Sequence, residues 1–215
     1  MKIKSFRTKF KTNQLLILWI YLVAFILMAF SFKSHALSAT ETKDTKDKKK
    51  SAETVVIDTS MGKISVKLNS EKAPITVENF LKYVDNKHYQ GTIFHRVMKD
   101  FMIQGGGHLP DMKEKDAAYP PIKNEANNGL SNRRGTISMA RMNEKDSATA
   151  QFFISVVDNQ KLDHQSENQY GYAVFGEVSS GLDVVDKIRA VEVTTQGQHE
   201  NVPKKIVLIR SITRK

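Results

Sequence analysis

One arginine lies close in sequence to several apolar residues and a glutamine. Arg96 is followed by Phe101, Met102 and Gln104, within the otherwise apolar segments TIFHRV and FMIQ. A guanidinium is permanently charged and holds several donors in a fixed plane, so it can bind or polarise a carbonyl group. Phe and Met in strands usually fill a core, however, and an isolated Arg in a strand usually faces solvent. By itself the pattern is a weak indication of a binding site.

The patterns of several common catalytic sites are absent from the sequence. It contains no Gly-x-Ser-x-Gly, His-Glu-x-x-His or Gly-x-x-x-x-Gly-Lys, which argues against a serine hydrolase, a zinc protease and a P-loop protein. The chain has no cysteine, and its six histidines show no ligand spacing. We therefore predict neither a metal nor another cofactor, and we interpret His95 as a structural residue.

The net charge of +10 raises the question of a nucleic-acid or membrane partner. Residues 1–36 contain six basic residues and no acid, and removing these six leaves +4. The excess is therefore largely a targeting signal, and we predict no nucleic-acid partner. With 215 residues and 40% hydrophobic content, the chain can bury one substantial core.

An uncharged apolar segment, Leu15–Phe32, follows the basic start of the chain. Ser34 and Ala36 then place small residues three and one positions before a candidate cleavage point, so we predict a cleaved signal peptide over residues 1–36. The alternative is an uncleaved anchor, because 18 residues at ~1.5 Å rise approach the ~30 Å hydrocarbon thickness. Both interpretations predict a periplasmic or otherwise exported domain, with membrane contact only through an uncleaved N-terminal segment.

Residues 37–53 are highly charged and lack apolar periodicity, which predicts a flexible linker before a single domain over 54–215. Pro74, with Thr76 as a candidate N-cap, begins one predicted helix, and a second follows Gly181. Eight short strand candidates lie at 54–58, 63–68, 92–97, 101–104, 136–140, 151–157, 172–176 and 204–212. The order of elements predicts a mainly β fold, a closed antiparallel eight-stranded barrel capped by two α-helices.

An ordered set of motifs gives the most specific evidence. FHRV is followed by FMIQGG, then SMA at Ser138–Ala140, QFFI at Gln151–Ile154 and VFG at Val174–Gly176. In order and spacing this set resembles the cyclophilin family of peptidyl-prolyl cis-trans isomerases, particularly its bacterial exported members, over essentially the whole of 54–215. The resemblance implies a monomeric isomerase (rotamase) that needs no cofactor and assists the folding of proline-containing, unfolded or partly folded exported polypeptides.

The resemblance also implies roles for individual residues. Arg96 matches the family's catalytic arginine, which would stabilise the twisted amide over an apolar proline pocket. The implied pocket residues are Phe101, Met102, Phe153 and Leu162. The implied neighbours of the substrate backbone are Gln104 and Gln151, and Ala140 matches a position that lines the adjacent groove.

Three positions depart from the best-known eukaryotic pattern. Arg141 replaces an Asn, Lys161 a Trp and Tyr172 a His. Arg141 and Tyr172 remain in the predicted substrate-binding set, and Tyr172 can still supply an aromatic wall with a polar tip. Lys161 removes an indole associated with cyclosporin binding, which implies weak drug sensitivity. These departures motivate a second hypothesis, a non-enzymatic chaperone or adaptor that binds extended Pro-containing segments.

Overall fold

The computed structural model describes residues 53–215; the predicted leader and all of the predicted linker except Glu53 lie outside the described residues. The strands are β1 Thr54–Thr59, β2 Gly62–Leu68, β3 Phe94–Met98, β4 Met102–Gly105, β5 Thr136–Met139, β6 Phe152–Ser155, β7 Val174–Ser180, β8 Val193–Gln196, β9 His199–Pro203 and β10 Ile209–Arg214. The α-helices are α1 Pro74–Asp85 and α2 Leu182–Arg189. Short 3-10 turns lie at Ala126–Asn128 and Gln160–Leu162.

Alternating apolar residues explain the hairpin that begins the domain. Val55 and Ile57 of β1 are buried, and they pair in register with Val66 and Ile64 of β2. Because successive side chains of a strand point to opposite faces, this alternation gives the hairpin one apolar face and one wetter face. The apolar face forms part of the main hydrophobic core.

Eight strands form one antiparallel sheet in the order β10-β1-β2-β7-β5-β6-β4-β3. The predicted mainly β fold with eight sheet strands and two helices is confirmed. The word "closed" was too strong, because no ladder joins the edge strands β3 and β10. Irregular backbone contacts join these edges instead, including Ile209 N–H to Thr92 O at 2.8 Å and Phe94 N–H to Val207 O at 2.9 Å.

The two helices cover the core with apolar faces of helical spacing. On α1, Phe80 is fully buried, and its ring centroid lies 5.3, 5.8 and 5.1 Å from those of Tyr89, Phe152 and Phe175. On α2, the buried residues are Val184, Val185 and Ile188. Burying a large apolar side chain contributes roughly 1.5–3 kcal/mol, so these contacts attach the helices firmly to the sheet.

The start of α1 differs from the prediction. Its N-cap is Ala73, and Thr76 lies within the first turn, so the assignment of Thr76 as N-cap was wrong. A distant carboxylate does the capping: the backbone N–H groups of Ile75 and Thr76 donate to Glu125 at 3.1 and 2.8 Å, and the Thr76 hydroxyl donates to it at 2.7 Å. A negative charge is favourable here because the helix N-terminus is electropositive.

The hairpin of β8 and β9 was not predicted. All four residues of β8 are exposed, so the segment lacks the apolar alternation that indicates a strand. β9 contacts β3, the edge strand that carries Arg96. Within residues 53–215, no helix combines the length and apolar character needed to cross a membrane.

Candidate active site

A β-bulge positions Arg96. Phe94 pairs with Gly105 and Arg96 with Gln104, so β3 contains one extra residue, His95, relative to β4. Phe94 and Val97 consequently both belong to the main core, although they are three residues apart, while Arg96 is half-buried outside it. Bulges redirect side chains in this way, and they are frequent beside active sites.

The Arg96 guanidinium has no partner of its own. Among the described residues, it makes no hydrogen bond with a protein group and no ion pair with a carboxylate. The side chains that line the space beside it include one carboxylate, that of Glu200. An arginine in this state keeps its donors available for a ligand.

The predicted pocket residues lie on the outer face of the sheet. Ile103 of β4 and Phe152 and Ile154 of β6 point into the main core, so Met102 and Phe153 face the opposite way. Met102 and Phe153 are nevertheless only 2% and 4% exposed. They are therefore covered apolar side chains that lie outside the main core.

Gln104 connects Arg96 to this face. It is the register partner of Arg96 on β3 and of Phe153 on β6, so these three residues form one row across the sheet. Its amide donates to Gln151 at 3.0 Å, and Gln151 donates to Glu114 at 3.1 Å. The chain of hydrogen bonds fixes the orientation of both amides, and Glu114 comes from the long segment between β4 and β5.

Backbone contacts bring Phe101, Leu162 and Ala140 to the same region. The Asn159 amide donates to Phe101 O at 2.8 Å, and Asn159 begins the turn that ends at Leu162. Ala140 N–H donates to Gln151 O at 2.9 Å, which places the predicted groove residue beside the hydrogen-bonded pair Gln104 and Gln151, called the glutamine row below. Phe101, Leu162 and Ala140 are all half-buried.

A polar network behind Leu162 and Tyr172 was missed by the sequence-based prediction. Asp163 accepts hydrogen bonds from the Ser131 hydroxyl at 2.5 Å, the Asn132 N–H at 2.7 Å and the Asn132 amide at 2.9 Å. The Asn132 amide also reaches Tyr172 O at 3.3 Å, and Tyr172 N–H donates to Leu162 O at 2.9 Å. Because Asn132 and Asp163 are 31 residues apart, no local motif shows that they pair.

Arg141 is held by the loops around it. Its Nε donates to Gly171 O at 2.9 Å, and its guanidinium donates to Met142 O and Asn143 O at 2.8 and 3.1 Å. Its Cζ lies 4.7 Å from the ring centroid of Tyr172, and the Tyr172 ring meets that of Phe153 edge-on at 5.7 Å. Arg141 therefore supports the ring of Tyr172. Among the described residues, its side chain makes no hydrogen bond with Gln104 or Gln151. Lys161 is exposed on the neighbouring turn.

Three histidines lie on the other side of Arg96, and they were not predicted to associate. The rings of His95 and His108 are 4.2 Å apart, and His199 of β9 stands 5.2 Å from His108. Burial lowers the pKa of His95 to about 3, and the charges of His108, His199 and Arg96 act in the same direction. Burial also lowers the pKa of His108, against the opposing effect of Glu114. Both buried rings are therefore neutral near pH 7.

No metal centre is formed by these groups. In the described part of the chain, no three His, Asp or Glu side chains are arranged to hold an ion. The arrangement offers an unpaired guanidinium, a row of amides and an apolar surface, which together can bind and polarise an amide without a covalent step.

Comparison with known proteins agrees with this geometry. Residues 54–214 match the family described as cyclophilin type peptidyl-prolyl cis-trans isomerase/CLD. Peptidyl-prolyl cis-trans isomerase A of Dickeya dadantii is 55% identical over 157 residues, 73% of this chain and 82% of the relative. A peptidyl-prolyl cis-trans isomerase of Acinetobacter baylyi is 50% identical over 190 residues, 88% of this chain and 93% of the relative.

A solved structure supports the fold. The cyclophilin type peptidyl-prolyl cis-trans isomerase cgd2_1660 of Cryptosporidium parvum superposes with a TM-score of 0.67 at 25% identity, covering 76% of this chain and 98% of that one. The chain belongs to the cyclophilin family. The prediction that it is an enzyme of the peptidyl-prolyl cis-trans isomerase class is confirmed.

Proposed function

We propose that Arg96 accelerates cis-trans exchange of X-Pro bonds by stabilising the twisted amide while Phe101, Met102, Phe153 and Leu162 hold the proline ring. The observation that carries the proposal is the guanidinium of Arg96, which has no partner among the described residues and lies in one row with Gln104 and Phe153. Proline-containing polypeptides are the substrates that this arrangement fits.

The cis-trans exchange of an X-Pro bond is limited by the height of its energy barrier. The cis and trans forms of an X-Pro bond differ by only ~0.5–1 kcal/mol, but amide resonance imposes a barrier of ~18–20 kcal/mol. Twisting the bond returns a lone pair to the prolyl nitrogen, so a donor that binds the twisted form better than the planar form lowers the barrier. Arg96 can donate toward that nitrogen or polarise the adjacent carbonyl group, and each ~1.4 kcal/mol of such preference gives about tenfold in rate.

The experiment compares the full chain with its Arg96→Ala variant in a proline-peptide isomerisation assay. We expect kcat/KM to fall about 10²–10³-fold, the usual effect of removing one preorganised donor. Arg133→Ala is the matched control, because Arg133 is exposed and its side chain makes no recorded contact in the described part of the chain. Equal rates for the wild type and Arg96→Ala would reject the proposal.

We also propose that the domain works outside the cytoplasm and assists the folding of exported proteins. The support is the sequence of residues 1–36, with its basic start, apolar segment and small residues at Ser34 and Ala36. N-terminal sequencing of the protein recovered from cells tests this: a start just after Ala36 supports a cleaved signal, and Met1 in the membrane fraction supports an anchor. Intact protein in the cytoplasm would contradict both.

A second candidate function is chaperone-like holding of extended segments. It is favoured by the row of Gln104, Gln151 and Glu114, which presents polar groups for a peptide backbone whether or not Arg96 is present. We expect holding activity of this kind to suppress aggregation of a client equally well in Arg96→Ala. If Arg96→Ala lost both the suppression of aggregation and the isomerase activity, the result would favour the enzyme alone.

A further inference from the structure

A cavity separates Arg96 from the hairpin of β8 and β9. It has a volume of about 360 Å³, within the range of small-molecule and side-chain sites. Arg96, Gln104 and Gln151 line one wall, and Gln198, His199 and Glu200 of the hairpin line the other. The cavity therefore begins at the reacting centre and extends away from the pocket that would hold the proline.

The floor of this cavity offers acceptors. His95 and His108 line it, and they are only 5% and 7% exposed. The Nδ1 atom of His108 is buried and has no hydrogen-bond partner among the described residues. A neutral imidazole presents one acceptor nitrogen.

The charge that remains free in the cavity is negative. The Glu200 carboxylate is exposed and makes no ion pair or hydrogen bond with any residue of 53–215. Glu114 adds a second carboxylate behind Gln151. Its Oε1 accepts a hydrogen bond from the Gln151 amide. Arg96 is the one arginine or lysine among the described residues that line the cavity, and the proposed function assigns it to the reacting amide. What is left suits a ligand that is positively charged and rich in donors.

We infer that this cavity binds the side chain of a lysine or arginine that flanks the isomerised X-Pro bond, with Glu200 as the residue that sets the preference. The inference rests on the proposed function, which places the X-Pro bond at Arg96. Lysine carries three donors and arginine five, and neither has an acceptor, which complements a carboxylate, amide oxygens and neutral imidazoles. The substrate class is thus a polypeptide with a basic residue near its proline.

The test uses the full chain and peptides with one X-Pro core, varied to Lys, Arg, Ala or Glu at a flanking position on either side. On one side of the proline, we expect kcat/KM for the basic peptides to exceed that for the glutamate peptide about threefold, as for a partly exposed ion pair. The preference is expected to shrink in high salt. Glu200→Gln should remove it, and Glu200→Lys should reverse it.

Glu177→Gln is the matched control, since it makes the same change in net charge. Glu177 is exposed on β7 and lines a different cavity of about 500 Å³ that shares no residue with the one at Arg96. This variant should keep the wild-type preference. Equal turnover of lysine and glutamate peptides by the wild type, a preference for glutamate, or a preference that survives Glu200→Gln would each overturn the inference.

Affinities of the same peptides, measured by fluorescence anisotropy, separate this inference from the proposed function. If only the proposed function failed, no peptide would be turned over. The basic peptides would still bind more tightly than the glutamate peptide, and Glu200→Gln would still remove this difference in affinity. Failure of the inference alone would appear as normal turnover without a charge preference in either rate or affinity.

Discussion

The two surfaces on either side of Arg96 are built in different ways. On the pocket side, formed by Phe101, Met102, Phe153 and Leu162, regular ladders and partly buried hydrogen bonds fix the neighbouring segments. On the hairpin side, formed by Gln198, His199 and Glu200 over the floor of His95 and His108, the outer residues are exposed. The contrast is between a side held by ladders and hydrogen bonds and a side whose outer residues can change without disturbing the core.

The largest effect is expected from breaking the network behind the pocket side. Asp163→Ala leaves the Ser131 hydroxyl and two donors of Asn132 without their carboxylate, and Asn132 is fully buried. Since bonds to charged groups contribute ~1.5–3 kcal/mol and lost partners leave buried donors unsatisfied, we expect the free energy of unfolding to fall by about 3 kcal/mol. Urea unfolding followed by circular dichroism measures it.

Asp116→Ala serves as the comparison for that variant. Asp116 is exposed, and its side chain makes no recorded contact in the described residues, so its change should stay within about 0.5 kcal/mol. If Asp163→Ala were as stable as Asp116→Ala, the pocket side would not depend on this network.

The next largest effect is expected in the dependence of the free energy of unfolding on pH, through the buried His95 on the floor of the hairpin side. Burial lowers the pKa of His95 to about 3, so below its ordinary value near 6.5 the unfolded chain takes up a proton that the folded chain does not. His95 therefore reduces the free energy of unfolding as pH falls from about 6.5 toward 3, by about 2.5 kcal/mol between pH 6 and pH 4. His95→Gln should flatten this part of the profile.

Urea unfolding at pH 7.5, 6, 5 and 4 gives the required comparison. Above pH 7.5 both proteins should show the same dependence on pH, because His95 is then neutral in both states. An acid slope that His95→Gln leaves unchanged would show that the buried ring does not carry the effect.

A smaller effect is expected where the two sides meet, at the glutamine row. A Cβ at Gly107 would overlap the side chain of Gln151, so Gly107→Ala should displace that amide from Gln104. We expect about a tenfold loss in kcat/KM, equivalent to ~1.4 kcal/mol, with the fold retained. Gln151→Ala should lose a similar amount, and the double variant should lose little more, since both changes remove one interaction. Additive losses would mean that the two residues act separately.

The smallest effect is expected at the base of the hairpin. Lys204 and Glu192 form an ion pair at 3.1 Å, with 56% and 81% of their side chains exposed. Exposed pairs are worth little, so Lys204→Ala should change the free energy of unfolding by less than about 0.5 kcal/mol. A loss of more than about 1 kcal/mol in urea unfolding would show that the hairpin side is braced more firmly than its exposure indicates.

The same contrast explains what could be predicted from sequence. β1, β2 and both helices bury apolar residues at regular spacing, as Val55 and Ile57 do, so their patterns are visible locally. The hairpin of β8 and β9 buries almost nothing of its first strand and leaves no such pattern. The cap of α1 was also misassigned, because the carboxylate that binds Thr76 lies 49 residues away at Glu125.

The candidate site also contains residues that a short motif identifies and contacts that no local motif shows. Arg96, Phe101, Met102 and Gln104 stand in one short motif, so the resemblance to the family identifies them together. The stack of His95, His108 and His199 and the pairing of Asn132 with Asp163 join distant segments, and only the folded chain brings them together. The motifs thus identify candidate site residues that are close in sequence, whereas contacts between distant segments leave no local motif.

Because β3 contains a bulge, the geometry around Arg96 depends on the number of residues in this segment as well as on their types. His95 is the extra residue that lets Phe94 and Val97 both enter the core while Arg96 points away from it. Deleting His95 would give simple alternation with Phe94 and Val97 facing the core and Arg96 still facing outward. One further residue between Phe94 and Val97 would instead require a larger bulge or move one of the two across the sheet, because a one-residue shift changes the face of a side chain. Insertions in this short segment are therefore constrained even at places where a change of side chain is tolerated.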